Sequence, residues 1–215
     1  MAALKTTAAW LCLLAVLPCS NQDQVPVKNC SSQLLEDLSA DLQVALECSV
    51  SPSAKWSTQQ TAALLLHMRN VTDVLHKHQQ SECYGAEPVE CPEPEVPKNG
   101  GLVCATLANR RYCKPLCNHG YDFAFIRRSR LFDECSEQTG YRWNSQYIGG
   151  NALAFCNEAS IQVAGGKTAY FPKDNSCLAT KTSDHKHSDI IQDFTEELKG
   201  LHLEADAQSL CLVCG

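Results

Sequence analysis

Three kinds of residue in this chain could do chemistry: paired cysteines, closely spaced histidines and clustered arginines. Cys211-Leu-Val-Cys214 has the C-x-x-C form of a dithiol redox pair or of half a zinc site. Redox use favours the start of a helix, where the thiol pKa is lowered, and no helix follows this pair in the sequence. Zinc would want a second pair at finger-like spacing, and no other C-x-x-C is present. His76-Lys-His78 and His185-Lys-His187 each set imidazoles two residues apart. On a helix such residues face different sides, so they read as solvated histidines rather than ligands. Ile126-Arg-Arg-Ser-Arg-Leu131 gathers Arg127, Arg128 and Arg130 between Phe125 and Phe132, with Arg110, Arg111 and Lys114 shortly before. Guanidinium forks suit sulfate oxygens as they suit phosphate, which makes these six cations candidate contacts for a sulfated glycan. Two plainer readings compete. Asp133 and Glu134 neutralise the run on a solvated face, or Arg127-x-x-Arg130 is a basic protease cleavage site. No Gly-x-Ser-x-Gly elbow, HExxH helix or phosphate-cradling loop occurs. No catalytic residue, cofactor or metal is expected, and the chain does not read as an enzyme.

The compartment follows from the N-terminus and the cysteine count. Lys5 precedes the ten-residue apolar run Ala8 to Leu17, and Pro18-Cys19-Ser20 breaks it. That is the order of a secretory signal peptide, assigned here to residues 1–20, and it is half the roughly 20 residues a membrane span needs. No later segment is apolar enough to insert in a membrane, and no GPI-anchor tail is seen. Of 14 cysteines, 12 lie after Ser20, an even number that an oxidising compartment can pair completely. Asn29-Cys-Ser and Asn70-Val-Thr are glycosylation sequons, meaningful once the chain is exported. A net charge of −6 and a pI near 5.6 argue against nucleic-acid partners.

Charge and periodicity divide the mature chain into three. Residues 21–90 hold nine acids against four bases, residues 91–156 six against eight, and residues 157–215 nine against five. In the first segment Leu35, Leu38, Leu42, Ala45 and Leu46 recur at helical spacing until Pro52. A second helix opens at Ser57-Thr-Gln-Gln60, which has the form of a capping box. Its Leu64, Met68, Val71, Leu75 and His78 repeat at 4-3-4-3 spacing. Two such helices on a short loop predict an antiparallel hairpin over 21–86, with Cys30 and Cys83 meeting at its open end. The stripe reads as hairpin core. A dimer through it ranks lower, because a sugar on Asn70 beside Val71 would obstruct close approach, and a monomer is expected.

Residues 91–156 have no helical period and are rich in Gly, Tyr, Phe and Trp with close cysteines, as suits a small β-module that bridges hold together. Cys91-Pro-Glu-Pro-Glu-Val-Pro-Lys-Asn-Gly, Cys117-Asn-His-Gly-Tyr121, Cys135, Gly140-Tyr-Arg-Trp143 and Cys156 occur in that order. This run resembles a sushi (complement control protein) module over about 66 residues. It departs from that pattern in the additional Cys104 and Cys113, the absent Pro before Cys156 and the long gap after Trp143. The resemblance implies Cys91–Cys135 and Cys117–Cys156 bridges, with Trp143 and Tyr121 in the core. Cys104 and Cys113 would close a hairpin through ATLANRRY.

In residues 157–215 IQVAGGKTAYF reads as a strand. A helix follows near Ser188 with Ile191, Phe194 and Leu198 on one face, and Gly200 takes the left-handed stop position. Cys48, Cys177, Cys211 and Cys214 remain and can pair in three ways. At least one bridge is expected to tie the tail to the hairpin or to itself, leaving no free thiol. The fold expected is disulfide-rich α+β: an N-terminal antiparallel helical hairpin, a small all-β sushi-like module over 91–156 and a bridged C-terminal extension with one helix. The resemblance implies non-catalytic recognition of an extracellular protein or sulfated glycan, in innate defence or adhesion. A secreted inhibitor or hormone-like ligand acting through the hairpin is the alternative.

Overall fold

A computed structural model describes residues 32–49, 56–145, 149–203 and 207–215. Asn29 and Cys30 lie outside them. Two compact units result, residues 1–57 and 58–215. The first contains one described helix, α1 (Ser32–Ser49), none of whose residues is buried.

The second unit begins with α2 (Thr58–Gln80) and a 3-10 turn, Ser81–Cys83. Five strands follow: β1 (Gly100–Leu107), β2 (Arg110–Cys117), β3 (Tyr121–Phe123), β4 (Asp133–Cys135) and β5 (Cys156–Glu158). Then come α3 (Cys177–Lys181), α4 (Asp184–Gly200) and β6 (Ser209–Cys214). The main sheet has the order β4-β2-β1-β6, all antiparallel, while β3 pairs with β5. Residues 91–156 therefore do not close a sheet by themselves. β1 takes its second neighbour from the C-terminal segment, and the expected boundary at 156/157 falls inside one compact unit.

β1 and β2 turn through Ala108 and Asn109, both at positive φ (47° and 58°). That is the type I′ geometry whose twist matches a two-residue hairpin. Bonding alternates outward from such a turn. Residues 110, 112, 114 and 116 thus face β1, and Pro115 faces away, beyond the last β4 partner at Cys113. Its missing N–H removes no ladder bond.

The two sheet faces carry different cores. On the helix face Val103, Ala105, Tyr112, Leu116 and Leu212 pack against Ile190, Phe194 and Leu198 of α4. Lys114 lies in this core at 1% exposure. Its Nζ donates to both oxygens of Glu197 (2.8 and 2.6 Å) and to Thr168 Oγ1 (2.9 Å). Burial lowers the Lys114 pKa, opposed by the Glu197 hydrogen bond and charge. A cation so enclosed needs that partner. On the opposite, cystine face Leu102, Cys104, Cys113 and Val213 pack with Cys83, Trp143 and Leu153. Trp143 Nε1 donates to Pro92 O at 2.8 Å, so the ring is core and its polar edge is satisfied.

Five disulfides join the described residues: Cys83–Cys211, Cys91–Cys135, Cys104–Cys113, Cys117–Cys156 and Cys177–Cys214. The Cys30–Cys83 clamp is corrected. The 3-10 turn after α2 lies along β6, where the Cys83 sulfur meets Cys211 instead. Against the expectation of no free thiol, Cys48, exposed in the last turn of α1, has no bridge among the described residues. Gly101 permits the Cys177–Cys214 bridge: a Cβ there would stand 2.5 Å from the Cys177 sulfur and 2.8 Å from Val213 O.

Two C-terminal readings change. IQVAGGKTAYF is not a strand, because side chains take the N–H groups a ladder would use. The Asp122 carboxylate accepts from Val163 N (2.8 Å), Ala164 N (3.0 Å) and Tyr170 Oη (2.5 Å), and Tyr170 Oη accepts from Gly165 N (2.6 Å). The helical stop is not Gly200, through which α4 continues. His202, at φ 60°, is the left-handed residue. Its N–H bonds Lys199 O (2.9 Å) while Leu203 N–H bonds Leu198 O (3.2 Å), a Schellman closure with Leu203 packed on the core.

The Asp122 knot has a pH signature. Burial alone would raise this carboxyl, but hydrogen bonds from Tyr170, Val163, Ala164 and Phe123 together hold it below its ordinary 3.8. Burial, then the bond to Asp122, pushes the Tyr170 phenol up to about 12. A carboxyl depressed in the folded state stabilises above the unfolded value, and that stability disappears as pH falls through the folded value. We expect acid to destabilise the wild type from about pH 4 downward. Asp122→Asn should be less stable at pH 7 and lose less on acidification, as urea midpoints at pH 7, 4 and 2.5 will show.

Candidate functional site

Of the six candidate glycan contacts, Arg111, Lys114 and Arg127 are buried, Arg110 and Arg130 are half-buried and Arg128 is exposed. Arg127 is 6% exposed, its guanidinium 5.8 Å from the Phe123 ring centre. It donates to Leu153 O and Asp133 Oδ2, each at 2.8 Å. Arg130 reaches the other Asp133 oxygen at 2.9 Å, and Asp133 itself is fully enclosed on β4. Arg111 donates to Cys83 O (2.8 Å) and pairs with Glu93 (3.3 Å); burial lowers its pKa, opposed by Glu93. Lys114 is committed to Glu197. Arg110 forks onto Glu134 at 2.9 and 2.7 Å and stacks on Tyr112. Of the six, Arg128 alone is classed as exposed, and its Nε donates to Val163 O at 2.7 Å.

The glycan reading is therefore corrected for Arg111, Lys114 and Arg127, whose charged ends cannot reach a glycan. The competing solvated-face reading fails at the same places: Asp133 does neutralise the run, but as a buried partner. Within Arg127-x-x-Arg130 both terminal guanidiniums are held by Asp133, while Arg128 and Ser129 between them are exposed.

The cysteines form a more concentrated site. Cys211, Cys104 and Cys113 are direct register partners across β6, β1 and β2, with Asp133 of β4 completing the row. The sulfurs of Cys83, Cys104 and Cys211 all lie within 4.8 Å of one another. Each belongs to a disulfide, so none is a thiolate ligand for a metal. Cys83 and Cys104 line a cleft of about 380 Å³, with Tyr84, Glu93 and Glu95 on its walls. The C-x-x-C pair does not bridge to itself. Residues three apart on a strand point to opposite faces, so Cys211 joins Cys83 on the cystine face and Cys214 joins Cys177 on the helix face.

α2 is the third feature. Its 23 residues include none that is buried. Leu65 is 62% exposed, and Met68, Val71, Val74 and Leu75 are also exposed. At 100° per residue these cover one side, and Asn70, exposed as well, lies about 40° from Val74 at the stripe's edge. A sugar on Asn70 would therefore border the stripe at Val74, while Leu65, Met68 and Leu75 lie about 140° or more away from it. The C-terminal end of α2 is anchored. Cys83 is bridged to Cys211, Cys214 N donates to Gln79 Oε1 at 3.0 Å, Gln79 Nε2 donates back to Cys214 O, and Lys181 pairs with Glu82 at 2.6 Å. His76 lies half-buried on this helix, while His185 pairs with Asp189 on α4 (2.9 Å). Among the described residues no group of potential metal ligands contains either histidine pair.

Comparison with protein-family models, curated proteins and solved structures finds no match for this chain.

The contrast within the arginine run is measurable. Arg127→Ala strips a buried carboxylate of one partner and should cost about 3 kcal/mol. Arg128→Ala, on the surface, should stay within about 0.5 kcal/mol. Urea denaturation of the two variants against wild type checks both.

Proposed function

We propose that this chain is a secreted, disulfide-cross-linked glycoprotein that recognises an extracellular protein without catalysing a reaction, through the apolar side of α2. One observation carries the reading: a 23-residue helix whose leucine and methionine side chains stand in solvent while its C-terminal end is bolted to a cross-linked sheet. Amphipathic helices of this kind bind by laying an apolar stripe into a partner's groove, anchored at positions three and four apart. Preorganisation matters, because a helix already fixed loses less entropy on binding. Five disulfides suit an oxidising compartment, no described helix is long and apolar enough to cross a membrane, and the signal-like N-terminus supports export. The sushi-like run of residues 91–156 supports the same class of function, with that region serving here as scaffold. The internal ion pairs of the arginine cluster argue against a sulfated glycan as the principal partner.

Replacing Leu65 and Leu75 together by Asp tests this. Immobilised glycosylated wild type and Arg128→Ala should retain the same extracellular protein. The double variant, with an unchanged disulfide map, should lose at least roughly tenfold in affinity, since two buried apolar anchors are each worth over 1 kcal/mol. Undiminished binding by the double variant overturns the reading. Loss on Arg128→Ala, with displacement by heparin, would return the glycan to first place.

A further inference from the structure

We propose that Cys83–Cys211 and Cys104–Cys113 form one thiol-exchange unit, through which a reducing dithiol entering the adjacent cleft unfastens α2 while the sheet stays cross-linked. The proposal concerns a different site from the recognising stripe and does not depend on it.

The geometry rests on Cys104. It sits on the middle strand of the row with a cysteine directly opposite on each side, Cys113 on β2 and Cys211 on β6. Its sulfur and those of Cys83 and Cys211 are mutually within 4.8 Å. A thiolate released at Cys211 is thus already near the disulfide it would attack, on the opposite side of Cys104 from Cys113, as a displacement along the S–S axis requires. The product fits the sheet. By the alternation of the ladder Cys104 and Cys211 are a hydrogen-bonded pair, with Cα atoms about 5.5 Å apart, inside the roughly 4.4–6.8 Å that a disulfide spans. Cys83 and Cys104 are only 4% and 2% exposed, and both line the cleft through which a dithiol would approach.

The step balances with one dithiol. Its first thiolate attacks the Cys83 sulfur, and the Cys211 thiolate leaves. The second thiol of the reagent displaces Cys83, closing the oxidised ring and leaving Cys83 as a thiol. The Cys211 thiolate then attacks the Cys104 sulfur. A Cys104–Cys211 bond forms, the Cys104–Cys113 bond breaks, and Cys113 leaves with the electron pair and takes up a proton. Two electrons pass from the dithiol to the protein, and the number of protein disulfides falls by one. The bridge that remains lies wholly within the sheet. The bond lost is the one that tied the end of α2 to β6, leaving Gln79, Glu82 and the Arg111 bond to Cys83 O as its polar ties.

Full-length oxidised protein is treated with N-ethylmaleimide to block Cys48 and any other free thiol. Dithiothreitol is then added in steps, new thiols are trapped with iodoacetamide, and the peptides are mapped without reduction. The first reduced species should carry iodoacetamide on Cys83 and Cys113 with Cys104 joined to Cys211, and a protease should cut α2 faster than in the oxidised protein. Label on Cys83 and Cys211 with Cys104–Cys113 intact overturns the proposal, as does first opening of any other bridge. A Cys113→Ser variant gives an independent reading. Cys104 should be found bonded to Cys211 with Cys83 free, and an unpaired Cys104 beside an intact Cys83–Cys211 bridge counts against the exchange.

Discussion

The arrangement of residues 58–215 depends on how a six-residue strand presents two sulfurs. β6 alternates its side chains, so Cys211 and Cys214 emerge on opposite faces of the same sheet. One face is fastened to the end of α2 and the other to the start of α3. Each bridge closes a long loop, 128 and 37 residues in sequence separation. In the chain-entropy account such closures remove several kcal/mol of freedom from the unfolded chain, although that mechanism is disputed. The α4 helix can then lie on one face and the irregular segments around Trp143 on the other, without either needing a large apolar core.

The buried cations act in a related way. Long stretches of this unit have no regular structure, and their carbonyl groups need donors once enclosed. Arg127 supplies one to Leu153 O and Arg111 one to Cys83 O, while each also answers a carboxylate. Guanidinium suits the task because its donors fork in fixed directions and its charge is held even when burial opposes it. Lys114 instead joins the sheet to α4 through side chains, donating to the Glu197 carboxylate and to the Thr168 hydroxyl.

The legible parts of this structure were the local ones. The α1, α2 and α4 helices follow from apolar spacing, and the β1–β2 hairpin from cysteines set symmetrically about a turn. The disulfide-rich α+β class follows from these together. What depended on distant partners was not legible. Nothing near Arg127 in sequence says that Asp133 is buried. The run 161–171 has strand composition, and Asp122, some 40 residues earlier, captures the amides of Val163 and Ala164. Gly200 looked like a stop because glycine usually takes that position, whereas His202 tolerates the left-handed turn and lets Leu203 pack. Cys83 was assigned to its nearer neighbour in a hairpin. The strand that claims it lies at the far end of the sequence, and the alternation that separates Cys211 from Cys214 requires knowing that β6 is a strand.

That placement of β6 also governs the order in which the protein can be made. A chain emerging N-terminus first exposes α2, Cys83 and the β1–β2 hairpin well before residues 209–214 exist outside the ribosome. Until they do, β1 is an open edge and Cys83 and Cys177 are thiols without their mates. Open edges and waiting thiols are what chaperones and disulfide isomerases engage. The four-stranded sheet and the Cys83–Cys211 and Cys177–Cys214 bridges of residues 58–215 thus cannot be completed before residues 209–214 have been made.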